Sequence, residues 1–108
     1  MKVCHLNAMT KGWFLGNFKP SVYCSDCCEV AVKKYKKGDN EKAHFHKIAT
    51  EITVIIKGRV RMFNRDFYEG DIIVTEPNEV TDFEALEDTI NVVVKLPSVI
   101  NDKYEIGS

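Results

Sequence analysis

Residues 38–58 read GDNEKAHFHKIATEITVIIKG. Gly38-Asp39-Asn40 at one end and Lys57-Gly58 at the other are turn sequences, and the runs between them are rich in β-branched and aromatic residues. His44-Phe45-His46 sets two imidazoles two residues apart. On a strand they project from one face while Phe45 points the other way. Glu51 follows five residues after His46. A hairpin turning through residues 47–50 carries its carboxylate back beside the imidazoles, so that two nitrogens and one oxygen converge from neighbouring strands. Non-haem iron and related divalent-metal sites use such a facial set, with positions left open for water or substrate. A lone histidine is usually structural, but two of the chain's three histidines fall in this one H-x-H, which points to ligation.

Outward from this segment, helical periodicity is hard to find. Short runs rich in Val, Ile, Phe, Tyr and Thr recur with turn chemistry between them, which predicts strands over 28–36, 43–48, 51–57, 59–64, 66–68, 71–75, 80–86 and 89–96. Turns are expected at Lys37-Gly38-Asp39-Asn40, Lys57-Gly58, Asn64-Arg65-Asp66, Glu69-Gly70-Asp71, Glu76-Pro77-Asn78 and Glu87-Asp88. The fold class is therefore all-β, a sandwich or barrel.

Alternation assigns faces. Cys28, Val30 and Val32 read as the buried face of their strand, with Glu29, Ala31 and Lys33 outside. Residues 52–56, 71–74 and 92–94 are apolar on both faces, and a second apolar face needs a cover. Either a second copy of the chain supplies it, giving a homodimer, or the segment Trp13 to Phe18 packs across it. Trp13 and Phe14 either cap one end as a lid or cover the sheet. Residues 97–108 are polar and are expected to form a surface tail or short helix.

The pattern Gly38-x5-His44-x-His46-x4-Glu51-x6-Gly58 resembles the first motif of the cupin superfamily at every position. A second cupin motif is recognisable but degraded: Gly70-Asp71 opens it, residues 72–75 give the strand and Pro77 holds the proline position. The glycine after that proline is Asn78 here, which also accepts a left-handed backbone. The usual third metal-binding histidine is Thr81, and the asparagine four residues later is Ala85. With eleven residues between Gly58 and Gly70, the chain looks like a compact microbial single-domain cupin. The resemblance implies a jelly-roll barrel of antiparallel strands, with a barrel core at about 28–96, an N-terminal extension at 1–27 and the tail at 97–108 in one domain. It also implies that His44, His46 and Glu51 hold a divalent transition metal, whether iron, manganese, nickel or zinc.

Threonine does not replace imidazole as a strong ligand, so three outcomes stay open at Thr81. The three remaining groups and waters hold the metal, or Asp82 or Glu84 is recruited, or the metal is lost and a polar binding pocket remains. Alternation turns Thr81, Phe83 and Ala85 inward and Asp82 and Glu84 outward, against recruitment. Thr53, Ile55, Val60, Met62, Thr81 and Phe83 are expected to face the interior, with Thr53, Met62, Thr81 and Phe83 lining a small-molecule pocket. Two functions follow. One is an enzyme acting on a small polar molecule, for which the resemblance implies isomerisation or epimerisation of a sugar or sugar nucleotide, or else dioxygen chemistry, with Glu51 as base where it is not a ligand. The other is a non-catalytic module binding a carbohydrate or carboxylate, with a reduced or lost metal site.

At 108 residues and 12.3 kDa the chain has room for one core. Fifteen Lys plus Arg against sixteen Asp plus Glu give a net charge of -1, no basis for a nucleic-acid or anionic-membrane partner. The basic run Lys33-Lys34 and Lys36-Lys37 reads as a solvated strand end, or else as attraction for a phosphorylated ligand. The N-terminal residues lack the apolar run of a signal peptide and nothing approaches a membrane span, so a cytoplasmic location is expected. There, Cys4, Cys24, Cys27 and Cys28 read as reduced thiols, although Cys24-x-x-Cys27 with Cys4-His5 has the residue types of a zinc site.

Overall fold

The structure is a computed structural model describing residues 1–106, and Gly107 and Ser108 of the expected tail lie outside it. Its strands are β1 (Trp13–Gly16), β2 (Tyr23–Cys24), β3 (Glu29–Tyr35), β4 (Asn40–Phe45), β5 (Thr50–Lys57), β6 (Arg59–Met62), β7 (Arg65–Tyr68), β8 (Ile72–Thr75), β9 (Thr81–Ala85), β10 (Thr89–Leu96) and β11 (Tyr104–Glu105). One sheet has the order β2-β1-β3-β10-β5-β8 and the other β11-β4-β9-β6-β7. The ladders are antiparallel except for the parallel pair β1 and β2. All eight expected strands are present, with ends shifted by three residues or fewer. Among the described residues only a short 3-10 turn, Leu6–Ala8, is helical, and no helix there is long and apolar enough to cross a membrane.

Local chemistry explains the turns. Between β6 and β7 the two loop residues, Phe63 and Asn64, have φ of 51° and 58°, the arrangement of a type I′ hairpin. The turn therefore sits one residue earlier than the expected Asn64-Arg65-Asp66. Gly58 ends β5 at φ 96°, and a Cβ there would lie 2.4 Å from the Asp88 carbonyl oxygen, so this motif position admits no side chain. Asn78 has φ 71°, as its place in the second motif requires.

The facing of β3 is the reverse of the expected one. Ala31 is fully buried and Glu29 nearly so, whereas Val30 and Val32 are half-buried. The register explains this, because Ala31 pairs with Val93 and Val93 with Thr53, all on the inward face. Alternation shows that two faces differ; it does not show which one is inside when the interior is itself polar. The core proper is Ile55, Val60, Met62, Ile73, Phe83 and Ala85, with Tyr35, Phe63 and Phe67 packed against it. Each large side chain fully withdrawn from water there contributes about 1.5–3 kcal/mol.

Both chain ends enter the sheets. β1 extends the first sheet by pairing with β3, so the segment from Trp13 does not cover the outer face. That face keeps Ile56, Ile72 and Val74 exposed at 47%, 64% and 52%. The surface tail expected after residue 96 is also corrected: Asp102 is buried, and β11 pairs with β4 through Tyr104 and Phe45.

Candidate metal centre

β4 ends at Phe45, earlier than expected, so His46 lies one residue beyond the strand. The alternation nevertheless holds. His44 and His46 are 8% and 4% exposed, and Phe45 on the opposite side stacks on Tyr104 at 5.4 Å between ring centroids. Glu51, near the start of β5, completes the set from the facing sheet, because residues 47–50 cross from one sheet to the other rather than turning the expected hairpin. The ligating atoms of His44, His46 and Glu51 all lie within 4.8 Å of one another.

Hydrogen bonds fix the imidazole nitrogens. His44 Nδ1 is 2.8 Å from the Lys42 carbonyl oxygen, and His46 Nδ1 is 2.8 Å from that of Asp102. A carbonyl only accepts, so each Nδ1 carries the hydrogen and each Nε2 keeps a lone pair free to bind a metal ion. His46 Nε2 stands 2.9 Å from Glu51 Oε2. Two lone pairs at that distance repel, so a cation belongs there, either a proton on His46 or a metal ion. Bonds of about 2.1 Å meeting near a right angle place adjacent donors about 3 Å apart, so the donor set fits a divalent metal. Burial works to raise the Glu51 pKa, but the His46 hydrogen bond and the charges of Lys95, His46 and His44 outweigh it and hold the carboxyl below its ordinary range.

The loop carrying His46 is held by a residue with no sequence signal. Asp102 accepts backbone N–H bonds from Lys47 at 3.1 Å, Ile48 at 3.1 Å and Ala49 at 2.9 Å, while its own carbonyl takes the His46 Nδ1 proton. Burial opposes ionisation of Asp102, yet these backbone donors and His46 bring its carboxyl below the ordinary range. From the other side, the Asn78 N–H donates to the His46 carbonyl at 2.7 Å.

Thr81 pairs with His44 across the β4–β9 ladder. Its hydroxyl is already committed, accepting from the Phe63 N–H at 2.9 Å and donating to the Asp82 carbonyl at 2.7 Å. Asp82 and Glu84 are exposed, and neither belongs to the metal-competent group.

The three residues open into a cavity of about 340 Å³ whose lining includes Thr53, Met62, Thr81 and Phe83. Ile55 and Val60 lie deeper, in the core. Trp13, Lys33, Tyr35, Glu41, Asn91 and Lys95 also line the cavity and were not expected there. Lys33 and Tyr35 turn inward because the phase of β3 is reversed, and Trp13, expected either as a lid over one end or as a cover on the sheet, lines the cavity from β1. Tyr35 donates to Glu41 Oε2 at 3.0 Å, and burial together with that carboxylate pushes its phenol above the ordinary range. Thr75 Oγ1 and Asn91 Oδ1 are buried without a partner. Cys4, Cys24 and Cys27 are exposed and Cys28 half-buried, all are free thiols, and none belongs to a metal-competent group among the described residues.

No protein-family model matches the sequence, and no curated protein matches it significantly. Solved structures do. A conserved protein with a double-stranded β-helix domain from Klebsiella pneumoniae aligns at TM-score 0.68 and 20% identity, covering 75% of this chain and 71% of its own. An RmlC-like cupin from Desulfovibrio desulfuricans aligns at 0.61 and 17%, covering 69% and 76%. The nucleoside dehydratase Pac13 aligns at 0.67 and 13%, covering 75% and 69%. Two facing sheets, the motif turns in place and these structural likenesses show that the chain has the double-stranded β-helix fold of the jelly-roll type that cupins share.

Proposed function

We propose that this chain is a metal-dependent cupin acting on a small polar molecule, with isomerisation or epimerisation of a sugar or sugar nucleotide as its reaction. The observation that carries this reading is the 2.9 Å contact between His46 Nε2 and Glu51 Oε2, with both Nδ1 atoms tied to carbonyls. His44, His46 and Glu51 hold the ion, which when bound polarises a carbonyl or a pair of hydroxyls. Glu51, ionised at neutral pH, takes up a proton from the substrate where it is not engaged as a ligand. Tyr35 and Glu41, hydrogen-bonded to each other on the cavity lining, orient substrate hydroxyls. A nucleoside dehydratase among the structural neighbours supports a sugar-bearing substrate for this fold.

Metal analysis of untagged protein against a His44→Ala, His46→Ala double variant tests the reading. About one equivalent in the wild type and none in the variant is expected. Equal, near-zero metal in both after reconstitution refutes it. That result promotes the second reading, a carbohydrate- or carboxylate-binding module, which the committed Thr81 hydroxyl favours. The exposed Ile56, Ile72 and Val74 on the outer sheet face support a homodimer in either case, since β8 is also an edge strand onto which a second copy can extend the same face.

A further inference from the structure

Lysines gather on one wall of the cavity. Lys33 lies on the inward face of β3 and pairs across the ladder with Asn91, while Lys95 lies on the inward face of β10 beside Glu51. Their Nζ atoms are 5.7 Å and 4.9 Å from the centroid of the Trp13 ring. Lys11 and Lys103 reach the same cavity from the two ends of the chain.

Among the described residues Glu29 comes within ion-pair range of Lys95, and the other neighbouring carboxylates, the cavity-lining Asp82 included, lie outside ion-pair range of the four lysines. Glu41 accepts from Tyr35, Glu51 faces His46, and Glu79 Oε1 accepts from the Glu76 N–H. Glu29 accepts from the Ser98 hydroxyl at 2.8 Å and stands 4.0 Å from Lys95 Nζ. Lys11, Lys33 and Lys103 belong to none of the ion pairs among the described residues. Burial holds the Lys33 ammonium below the ordinary lysine range; Glu41 opposes this, and Lys11, Lys103 and Lys95 add to it.

Ammonium groups normally point into water, and clustering them on a half-buried wall is unfavourable unless an anion joins them. A neutral sugar leaves that repulsion in place. The partnerless Asn91 Oδ1 calls for a donor and the partnerless Thr75 hydroxyl for a donor or an acceptor, and hydroxyls on the same molecule are both.

We infer that the cavity takes a small hydroxylated oxyanion, a carboxylate or phosphate compound whose charged group is held by Lys33 and Lys95 beside Trp13. This names the substrate class of the proposed site, and it rests on that reading only for the part of the ligand that reaches His44, His46 and Glu51. Lysine presents a point charge rather than a planar fork, so carboxylate and phosphate share the chemistry.

Trp13 is the chain's single tryptophan, so its fluorescence reports occupancy directly. The probes are glucose, glucuronate and glucose 6-phosphate, which share one ring and differ at one carbon. They are titrated into protein held in chelator and into metal-loaded protein. Glucuronate, glucose 6-phosphate or both should give a saturable change, with affinity about tenfold or more above that of glucose, and the one that binds identifies the oxyanion. Lys33→Met should lose about that factor and Lys33→Arg should recover part of it, while Lys34→Met, on the outward side of β3, changes nothing. Lys95→Met is read in the same way should Lys33→Met fail to fold by circular dichroism. Anion binding in chelator survives a failure of the metal reading, which keeps the two results apart. No saturable response to either anion, glucose binding as well as they do, or a folded Lys33→Met variant with wild-type affinity each overturns the inference.

Discussion

Replacing Asp102 tests how the cavity wall holds His46. The carboxylate accepts from three backbone N–H groups, those of Lys47, Ile48 and Ala49. Lys47 and Ile48 are exposed, so in Asp102→Ala water takes over their bonds at about 0.5 kcal/mol each. Ala49 is 2% exposed, and its N–H loses a charge-assisted partner without replacement, at about 1.5–3 kcal/mol. The expected loss is thus about 3 kcal/mol, and Asp102→Asn, which keeps one acceptor oxygen, should lose about half of that. The Asp102 carbonyl still takes the His46 Nδ1 proton in either variant, but the loop behind it is looser, so metal affinity should fall about 10–100-fold. Urea unfolding gives the first quantity and calorimetric metal titration the second. The pH dependence supplies a sign check. Since the folded pKa of Asp102 is depressed, its contribution is fully present above the unfolded value of about 3.9 and is lost as pH falls through the folded value. The gap between wild type and Asp102→Asn should therefore narrow below that pH. An Asp102→Ala variant within about 0.5 kcal/mol of wild type and with unchanged metal affinity refutes the positioning role.

Two further outcomes are expected. Thr81→His supplies a third imidazole beside His44 and should tighten metal binding, while the Phe63 N–H loses its acceptor and stability falls by about 1–2 kcal/mol; an unchanged dissociation constant shows that position 81 does not reach the ion. Val74→Lys on the outer face of edge strand β8 should give a monomeric mass by light scattering where the wild type gives twice that, and a monomeric wild type at micromolar concentration removes the dimer.

The fold was legible because its strands are local. Residues 89–96 are rich in β-branched side chains and bounded by Glu87-Asp88 and Pro97, and the strand runs over that range. The H-x-H with Glu51 was legible because the three ligands are close in sequence, although β4 and β5 face each other from the two sheets rather than forming the expected hairpin. Asp102 was not, since its partners lie more than fifty residues away and an aspartate in a polar tail resembles any other. Lys33 was hidden for a different reason. Its strand alternates cleanly, but the more apolar side, Val30 and Val32, faces outward. The usual inference that the greasier face is the inner one fails when the interior holds a polar cavity and the exterior is itself apolar.

That inversion is part of a gradient running along the barrel. Glu51, Thr53 and Ile55 are successive inward residues of β5, and Glu51 pairs with Thr75 on one side and Lys95 on the other. Two steps along, Thr53 pairs with Ile73 and Val93. On β9 the inward residues pass from Thr81 through Phe83 to Ala85. β5, β8 and β9 thus contribute their polar inward residues to one end and their apolar ones to the other, whereas β3 and β10 carry Lys33, Asn91 and Thr89 at the far end. Packing energy concentrates at the apolar end, in the cluster from Ile55 to Ala85. Positions at the polar end are correspondingly free to change with the ligand. Thr81 shows how: where the resemblance leads one to expect imidazole, its hydroxyl instead accepts the Phe63 N–H and anchors the β6–β7 hairpin to β9, so one ligand position serves the fold while His44, His46 and Glu51 still converge beside it.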